Sequence, residues 1–467
     1  MTGGGMMASF LALMVSGLPV AMAMAGAALI YVMLSGTIPD FVVIHRMYGG
    51  VDSFPLLAVP FFIWAGNLMN SAGITNRIYN FALALVGWLK GGLGHVNVVG
   101  SMIFAGMSGT AIADAAGLGT IEIKAMTDHG YSKEFSVGVT AASATVGPII
   151  PPSLPFVIYG MMASVSIGQL FLAGVIPGIL MGATMMLTVA YFAHTRNFGR
   201  DVPFSAPKLI KAGLEIVMVA CVPGGAWLLF RLGVPGGWAV IAAFALLLAL
   251  DKVFNFSAVM ALLTPVMLIG GMTMGVFTPT EGAIAASMWA LFLGLFWYRT
   301  LDWRRLVKVT MDTIETTATV LFIVAAASIF GWLLTVTRMT DAVAEWVLAF
   351  SSNPNVFLLL ANLLLLFVGC FLEPTAAITL LVPILAPICM KLGIDLVHFG
   401  LVMVLNLMIG LMTPPFGMIL FVMQQVSGLS FEDVVKACMP TLVPLVVVLV
   451  LITFVPSLVT WLPKLVL

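Results

Sequence analysis

Charge is what this sequence has least of: Asp, Glu, Lys and Arg make up only 8% of its 467 residues, where soluble domains carry roughly 25%. A water-soluble globule cannot be clothed with so little polar surface, so the solvent of this chain is lipid. Its 19 Lys and Arg balance its 19 Asp and Glu, and without a basic excess there is no electrostatic footprint for nucleic acid. Cysteine is nearly missing. Cys221, Cys370, Cys389 and Cys438 lie in apolar runs without a CxxC spacing, read as small core residues, and say nothing of redox compartment. The five histidines, His45, His95, His129, His194 and His398, are scattered. With no HxxxH pair, no Cys/His cluster and no nucleophile–base pair, the pattern argues against an enzyme and against a transition-metal centre.

What is present is hydrocarbon. Apolar residues make up 61% of the chain, and the mean hydropathy is +1.16. Runs long enough to cross a bilayer, about 20 residues each, fall at 6–34, 53–71, 134–163, 167–194, 212–231, 235–251, 255–275, 279–298, 312–336, 396–426 and 432–461. The first run, Met6 to Leu34, exceeds the roughly 7–15-residue core of a signal peptide and reads as a single retained span. Two further stretches, 93–127 and 354–391, are interrupted near the middle by Gly106-Met-Ser-Gly-Thr110 and by Glu373-Pro374-Thr375. Each half is too short to cross a ~30 Å core, so each stretch is expected to form a re-entrant hairpin covered by protein at its tip. Short amphipathic pieces at 74–90 and 339–350 precede the hairpins and are expected to lie along the membrane surface.

A repeat organises these pieces. Gly147-Pro-Ile-Ile-Pro-Pro152 and Gly410-Leu-Met-Thr-Pro-Pro415 stand 263 residues apart (147 to 410). The same offset pairs Gly106 with Gly369, Gly130 with Gly393 and Pro177 with Pro440, whereas the glycines at 109, 117 and 119 have no mates. Duplicated units whose helices break at matching places mark a secondary transporter, with the breaks at the transport site. The expected fold is therefore an all-α polytopic membrane protein of two inverted repeats, 1–194 and 276–467, each with a hairpin and a broken helix. A connection at 195–275 with three spans joins them. With the N-terminus cytoplasmic and the hairpins entering from opposite faces, fourteen of the 19 Lys and Arg fall inside; Arg46, Arg231, Arg338, Lys391 and Lys464 fall outside. That bias obeys the positive-inside rule and places the C-terminus outside.

A coupling cation must exchange water for roughly five or six oxygens. Unwound backbone and neutral hydroxyls supply them at Ser108, Gly109, Thr110, Ser143, Thr145 and Gly147 in one repeat. The other repeat offers Pro374, Thr375, Thr379, Gly410 and Thr413. Neutral ligands suit Na⁺ better than Ca²⁺ or Mg²⁺. The competing reading, that Gly and Pro only kink helices while hydroxyls bond back to the backbone, loses force when four clusters stand in symmetric positions. Half-helices starting at the tips and after Pro152 and Pro415 aim N–H groups at one region, which favours a carboxylate substrate. This assigns Thr110, Pro151, Pro152, Thr379, Pro414 and Pro415 to substrate. Asp114 and Glu373 are intramembrane acids, each read either as supporting the ion site or as capping backbone. Glu122 and Lys124 are expected to be solvated near the hairpin mouth. Thr278-Pro279-Thr280-Glu281 reads as a capping box opening a helix, and Gly17-Leu18-Pro19 opens its counterpart in the first repeat, three residues out of register.

The pieces Gly106-Met-Ser-Gly-Thr-Ala-Ile-Ala-Asp114, Ala141 to Pro155, Phe277-Thr-Pro-Thr-Glu281 and Met412-Thr-Pro-Pro415 resemble the large membrane subunit of tripartite ATP-independent periplasmic (TRAP) transporters, the DctM-like family. The resemblance covers nearly the whole chain. It implies an elevator-type carrier of the ion-transporter superfamily in the bacterial inner membrane, driven by a Na⁺ gradient. It also implies a periplasmic binding protein that delivers an organic acid, and a separate small four-helix membrane subunit. Carried over by motif, the family's Na⁺ sites would fall on Ser108, Gly109, Thr145 and Gly147, and on Pro374, Thr375, Gly410 and Thr413. The stretch Leu214 to Phe254 looks longer than the family's inter-repeat connection. Two other readings are a stand-alone Na⁺- or H⁺-coupled organic anion carrier of the same superfamily and a passive channel. Dependence on a binding protein separates the first, and uptake against a gradient the second.

Overall fold

A chain in hydrocarbon must satisfy every backbone polar group within itself, and helices do so segment by segment. The computed structural model, which describes residues 3–36, 38–231, 251, 258–273, 276–350 and 352–466, accordingly contains no strand among those residues. The first repeat runs α1 (Gly3–Val15), α2 (Val20–Ser35), α3 (Phe41–Val51), a 3₁₀ turn (Phe54–Leu57), α4 (Ala58–Ser71) and α5 (Ile74–Val86). It continues with α6 (Gly92–Ser108), α7 (Ala111–Ala116), α8 (Leu118–Asp128), α9 (Lys133–Ala144), α10 (Leu154–Met162) and α11 (Ile167–Thr195). The connection shows α12 (Ala206–Arg231) and α13 (Val259–Thr273). The span expected at 235–251, and with it most of the long 214–254 stretch, lies outside the described residues but for Asp251 and the end of α12.

The second series is α14 (Pro279–Phe292, extended by a π turn to Trp297), α15 (Trp303–Val336), α16 (Met339–Phe350), α17 (Pro354–Gly369) and α18 (Pro374–Lys391). It ends with α19 (Leu396–Gly410), α20 (Met418–Ser427), α21 (Phe431–Phe454) and α22 (Ser457–Val466). Moved by 263 residues, α5 falls on α16, the α6–α8 hairpin on α17–α18, α9 on α19, α10 on α20 and α11 on α21. Pro177 and Pro440 both sit inside long helices at that spacing. Six helices among the described residues are long and apolar enough to cross a membrane, 54–71, 167–195, 279–297, 303–336, 374–391 and 431–454, so the second half of 354–391 is longer than the expected half-span.

Packing repeats with the partners exchanged. Helix α4 lies on α14 while the equivalent part of α15 lies on α2; α9 lies on α21 while α19 lies on α11. Asn67 Nδ2 donates to Thr313 Oγ1 (3.0 Å) and Ser287 Oγ to the Phe61 carbonyl (2.7 Å), stitching the two series at depth. The capping box is formed: Glu281 N donates to Thr278 Oγ1 (3.4 Å) and Thr278 N to Glu281 Oε2 (2.7 Å).

Several expectations need correction. The run 6–34 is not one span: Gly17 takes φ +91° and Pro19 opens a new helix, so α1 and α2 fold against each other. A glycine in that region and a proline that cannot continue the preceding ladder are enough to turn the chain. Helix α3 was not anticipated, and the last run, 432–461, is divided by Pro456 into α21 and the amphipathic α22. Helix α15 starts nine residues earlier than expected, capped by Asp302, whose carboxylate accepts from Arg305 N at 2.7 Å.

Candidate functional site

Each broken helix stops where its sequence removes donors. In the first repeat α9 ends at Ala144, and the interruption 145–153 holds Gly147, Pro148 and the cis pair Pro151–Pro152. Helix α10 restarts at Leu154 with Ser153 as its cap, Oγ accepting from Phe156 N at 3.3 Å. In the second, α19 ends at Gly410, and 411–417 holds Thr413 and the cis pair Pro414–Pro415. Helix α20 restarts at Met418 behind Gly417, φ +57°, with no side-chain cap.

The hairpin tips close onto these interruptions. At the first, α6 ends at Ser108, Gly109 turns the chain at φ +62°, Thr110 is extended, and α7 begins at Ala111. A Cβ on Gly109 would stand 2.8 Å from the Pro152 carbonyl oxygen, so the tip reaches the break only because residue 109 has no side chain. Leu154 N then donates to the Gly109 carbonyl at 3.4 Å. At the second, Gly417 N donates to the Cys370 carbonyl at 3.3 Å. The donors, 154 and 417, stand at the same 263-residue offset. Gly410 and Gly369 touch backbone to backbone, since a Cβ on Gly410 would come within 2.5 Å of the Gly369 carbonyl carbon.

The structure therefore brings Gly109, Thr110, Asp114, Gly147 and Pro152 to one place: the Gly147 Cβ position lies 3.7 Å from the Thr110 carbonyl oxygen and 3.8 Å from Asp114 Oδ2. It brings Gly410 and Gly417 to the second tip, against Gly369 and Cys370, where Pro374 and Thr375 open α18. Helix α7 packs on α20 and α10 on α18, so each hairpin also meets the restarted half-helix of the other repeat. Thr379 stays apart, one turn along α18 and bonded to the Ala376 carbonyl at 3.0 Å.

The hydroxyls do bond back to their helices. Thr145 Oγ1 donates to the Ala142 carbonyl (2.6 Å) and Thr413 Oγ1 to Ile409 (2.8 Å). Donation uses only the proton, and the oxygen lone pairs remain for a cation. Thr375 Oγ1 donates to Glu373 Oε1 at 2.7 Å, while Glu373 Oε2 accepts from Ala376 N at 3.2 Å. Glu373 is thus the N-cap of α18, and its own carboxylate occupies that helix end. Of the four restart points, that of α18 is capped by the Glu373 carboxylate, that of α10 by the neutral Ser153 hydroxyl, and α7 holds Asp114 in its first turn, so only α20 starts with neither a side-chain cap nor an acid.

Polar groups deep in spans that were not anticipated complete the picture. Asn97 Nδ2 donates to Thr140 Oγ1 (2.6 Å), Ser143 Oγ to Asn97 Oδ1 (2.7 Å) and Ser101 Oγ to Ser143 Oγ (3.1 Å). Asn406, the offset mate of Ser143, likewise donates to Asn362 Oδ1 at 2.7 Å on the first arm of the other hairpin. An asparagine in an apolar span was the available signal. Glu122 contradicts its expected solvation. Lys124 is exposed, but Glu122 is 1% exposed and neither of its oxygens has a hydrogen-bond partner. The cause is tertiary: α8 turns that side chain onto Gly100 of α6, where a Cβ would lie 2.9 Å from Glu122 Oε1.

Comparison with known proteins agrees with this architecture. The family model described as "Tripartite ATP-independent periplasmic transporter, DctM component" matches residues 7–458. The chain is 41% identical over 461 residues to the sialic acid TRAP transporter large permease protein SiaM of Vibrio cholerae, covering 99% of this chain and 98% of that one. It is 34% identical to the 2,3-diketo-L-gulonate TRAP transporter large permease protein YiaN of Escherichia coli, covering 95% and 94%. The C4-dicarboxylate TRAP transporter large permease protein DctM of Pseudomonas aeruginosa is also 34% identical, covering 90% and 88%. Among solved structures, the YdaH transporter of Alcanivorax borkumensis superposes with a TM-score of 0.57 at 15% identity, covering 88% of this chain and 86% of that one. The MtrF protein of Neisseria gonorrhoeae gives 0.54 at 10%, covering 88% and 82%. These two likenesses speak to the fold alone.

Proposed function

This chain belongs to the DctM component family of TRAP transporters, a large permease subunit of the inner membrane that crosses it several times, and on that premise we propose that it uses a Na⁺ gradient to take up an organic acid. A periplasmic binding protein hands the acid over, and a small four-helix membrane subunit sits beside the permease. The observation that carries the reading is the matched pair of ties, Leu154 N to the Gly109 carbonyl and Gly417 N to the Cys370 carbonyl. In both repeats, main chain released from helical bonding is held at depth against a hairpin tip.

Na⁺ asks for small, mostly neutral oxygens. The first tip offers the Thr110 carbonyl, the freed carbonyls around Gly147 and the unpaired Asp114 carboxylate. The second offers Thr375, Thr413 and the carbonyls freed beyond Gly410. The acid would lie toward the start of α20, which has neither a side-chain cap nor an acid in its first turn. Each hairpin and broken helix would move as a block past the remaining spans, with 1–194 and 276–467 inverted, the N-terminus cytoplasmic and the C-terminus periplasmic. The relatives are named for different acids, and sialic acid, from the relative at 41% identity, is the first cargo to test.

The test is reconstitution in liposomes with the small subunit, with and without binding protein. Uptake is expected only with the binding protein present. Full-rate uptake by the permease without it would sink the tripartite reading and favour a self-sufficient carrier.

A further inference from the structure

The second arm of the first hairpin holds two acids that the second repeat lacks. Asp114 on α7 and Glu122 on α8 are each 1% exposed, and their offset mates are Ala377 and Leu385. Among the described residues neither Glu122 oxygen has a hydrogen-bond partner, and Asp114 has only the Ser101 hydroxyl beside it. They stand eight residues apart on the one arm. The ion pair formed among the described residues, Lys391 with Asp341, is at the surface and serves neither. An ionised carboxylate buried without donors costs several kcal/mol. Something positive must neutralise them.

The two acids differ in what can reach them. Asp114 is one turn from the tip and beside Gly147, within the oxygens proposed above for the coupling cation. Glu122 lies two turns further along the arm, buried against Gly100 of α6. The titratable and charged groups on the elements packed around it are Asp114 on α7, Arg77 and Tyr79 on α5 and His95 on α6; the Arg77 guanidinium lies over the Tyr298 ring, 3.9 Å from its centroid. Helix α9 brings only Lys133 and Glu134 in its first turn, α20 brings none, and Lys124 on α8 itself is exposed. Among the described residues no cation forms an ion pair with it.

We propose that Glu122 is a proton-binding site: in this conformation it is a neutral carboxylic acid that rides with the first hairpin, giving that repeat a proton-linked element the second does not have. The choice of Glu122 over Asp114 rests on the cation reading of the tip.

Infrared spectra of the permease with its small subunit in lipid, at neutral pH, test this without any substrate. Glu122→Gln should delete one protonated-carboxyl C=O band and leave the carboxylate bands unchanged. Glu122→Asp should shift that band rather than remove it, which keeps the test alive if the glutamine variant does not fold. Loss of a carboxylate band on Glu122→Gln, or loss of the acid band only on Asp114→Asn, would overturn the assignment. Spectra with and without Na⁺ separate the two readings. A Na⁺-sensitive carboxylate band abolished by Asp114→Asn supports the tip as the cation site. Insensitivity to Na⁺ with the Glu122 effect intact would defeat the cation reading of the tip while leaving the proton where it is.

Discussion

The two hairpins are built to one plan but placed in different surroundings. The first turns through Gly109 onto an interruption, 145–153, that is buried apart from half-buried Ile150; its second arm is cut at Gly117 and holds Asp114 and Glu122. The second turns at 370–373 onto 411–417, where Pro415 and Phe416 are exposed; its second arm is the unbroken α18, which carries Pro383 and Pro387 and no acid beyond its cap Glu373. What is duplicated is where the helices stop. What is not duplicated is the chemistry around the stops. Shared backbone breaks with unlike side chains allow two tips to take different ions or different parts of one substrate.

The strongest way to break this comparison is steric. Gly410→Val forces a branched side chain into the Gly369 backbone, which cannot rotate away, and should cost about 3 kcal/mol or more. Gly147→Ala meets the Ala144 carbonyl oxygen at 3.2 Å, with its other neighbours at ordinary contact distance, and should cost about 1 kcal/mol. Thermal unfolding in detergent checks both, and equal losses would mean the tips are packed alike. Next come the buried amides. Asn406→Leu strips Asn362 Oδ1 of its donor and should cost about 2 kcal/mol. Ser143→Ala strips Asn97 Oδ1, yet Asn97 still donates to Thr140, so about 1 kcal/mol is expected.

A functional prediction sharpens the comparison further. Thr375→Ala and Thr413→Val should each raise the Na⁺ concentration for half-maximal uptake about tenfold, which is about 1.4 kcal/mol, without lowering the amount of folded protein. Thr145→Val should act similarly through the first tip. An effect confined to one repeat would leave a single cation site, and no effect in either would remove both. The smallest change is at a cap. Ser153→Ala removes the acceptor for Phe156 N and should lower stability by about 1 kcal/mol, measurable as a shift in the unfolding midpoint. Helix α20, which starts behind Gly417 without such a cap, has no equivalent to lose.

Much of the fold could be read beforehand because helix interruption is written locally. A Pro-Pro beside a glycine stops a helix wherever it falls, and a 263-residue period needs no structure to see. The harder features depend on other segments. A hydropathy window averages over Gly17-Leu18-Pro19, so α1 and α2 merged into one run. Helix α3 carries His45 and Arg46 among Phe41, Ile44 and Tyr48, and so falls below the hydropathy of a span. The burial of Glu122 is set by Gly100, more than twenty positions earlier, and no pattern within α8 records it. Within the candidate site, the tips and breaks were legible and capping was one of the two readings of Glu373, which the bond from Ala376 N bears out, but the Ser153 cap declares itself only through the bond it makes.

The central claim is that these two interrupted halves turn an ion gradient into uphill movement of an acid. Liposomes holding the permease and its small subunit, with sialic acid and binding protein outside and no ATP, test it directly under an imposed inward Na⁺ gradient. The account predicts accumulation above the external concentration, abolished when Na⁺ is equal on both sides. Equilibration without accumulation, or accumulation indifferent to Na⁺, would contradict it.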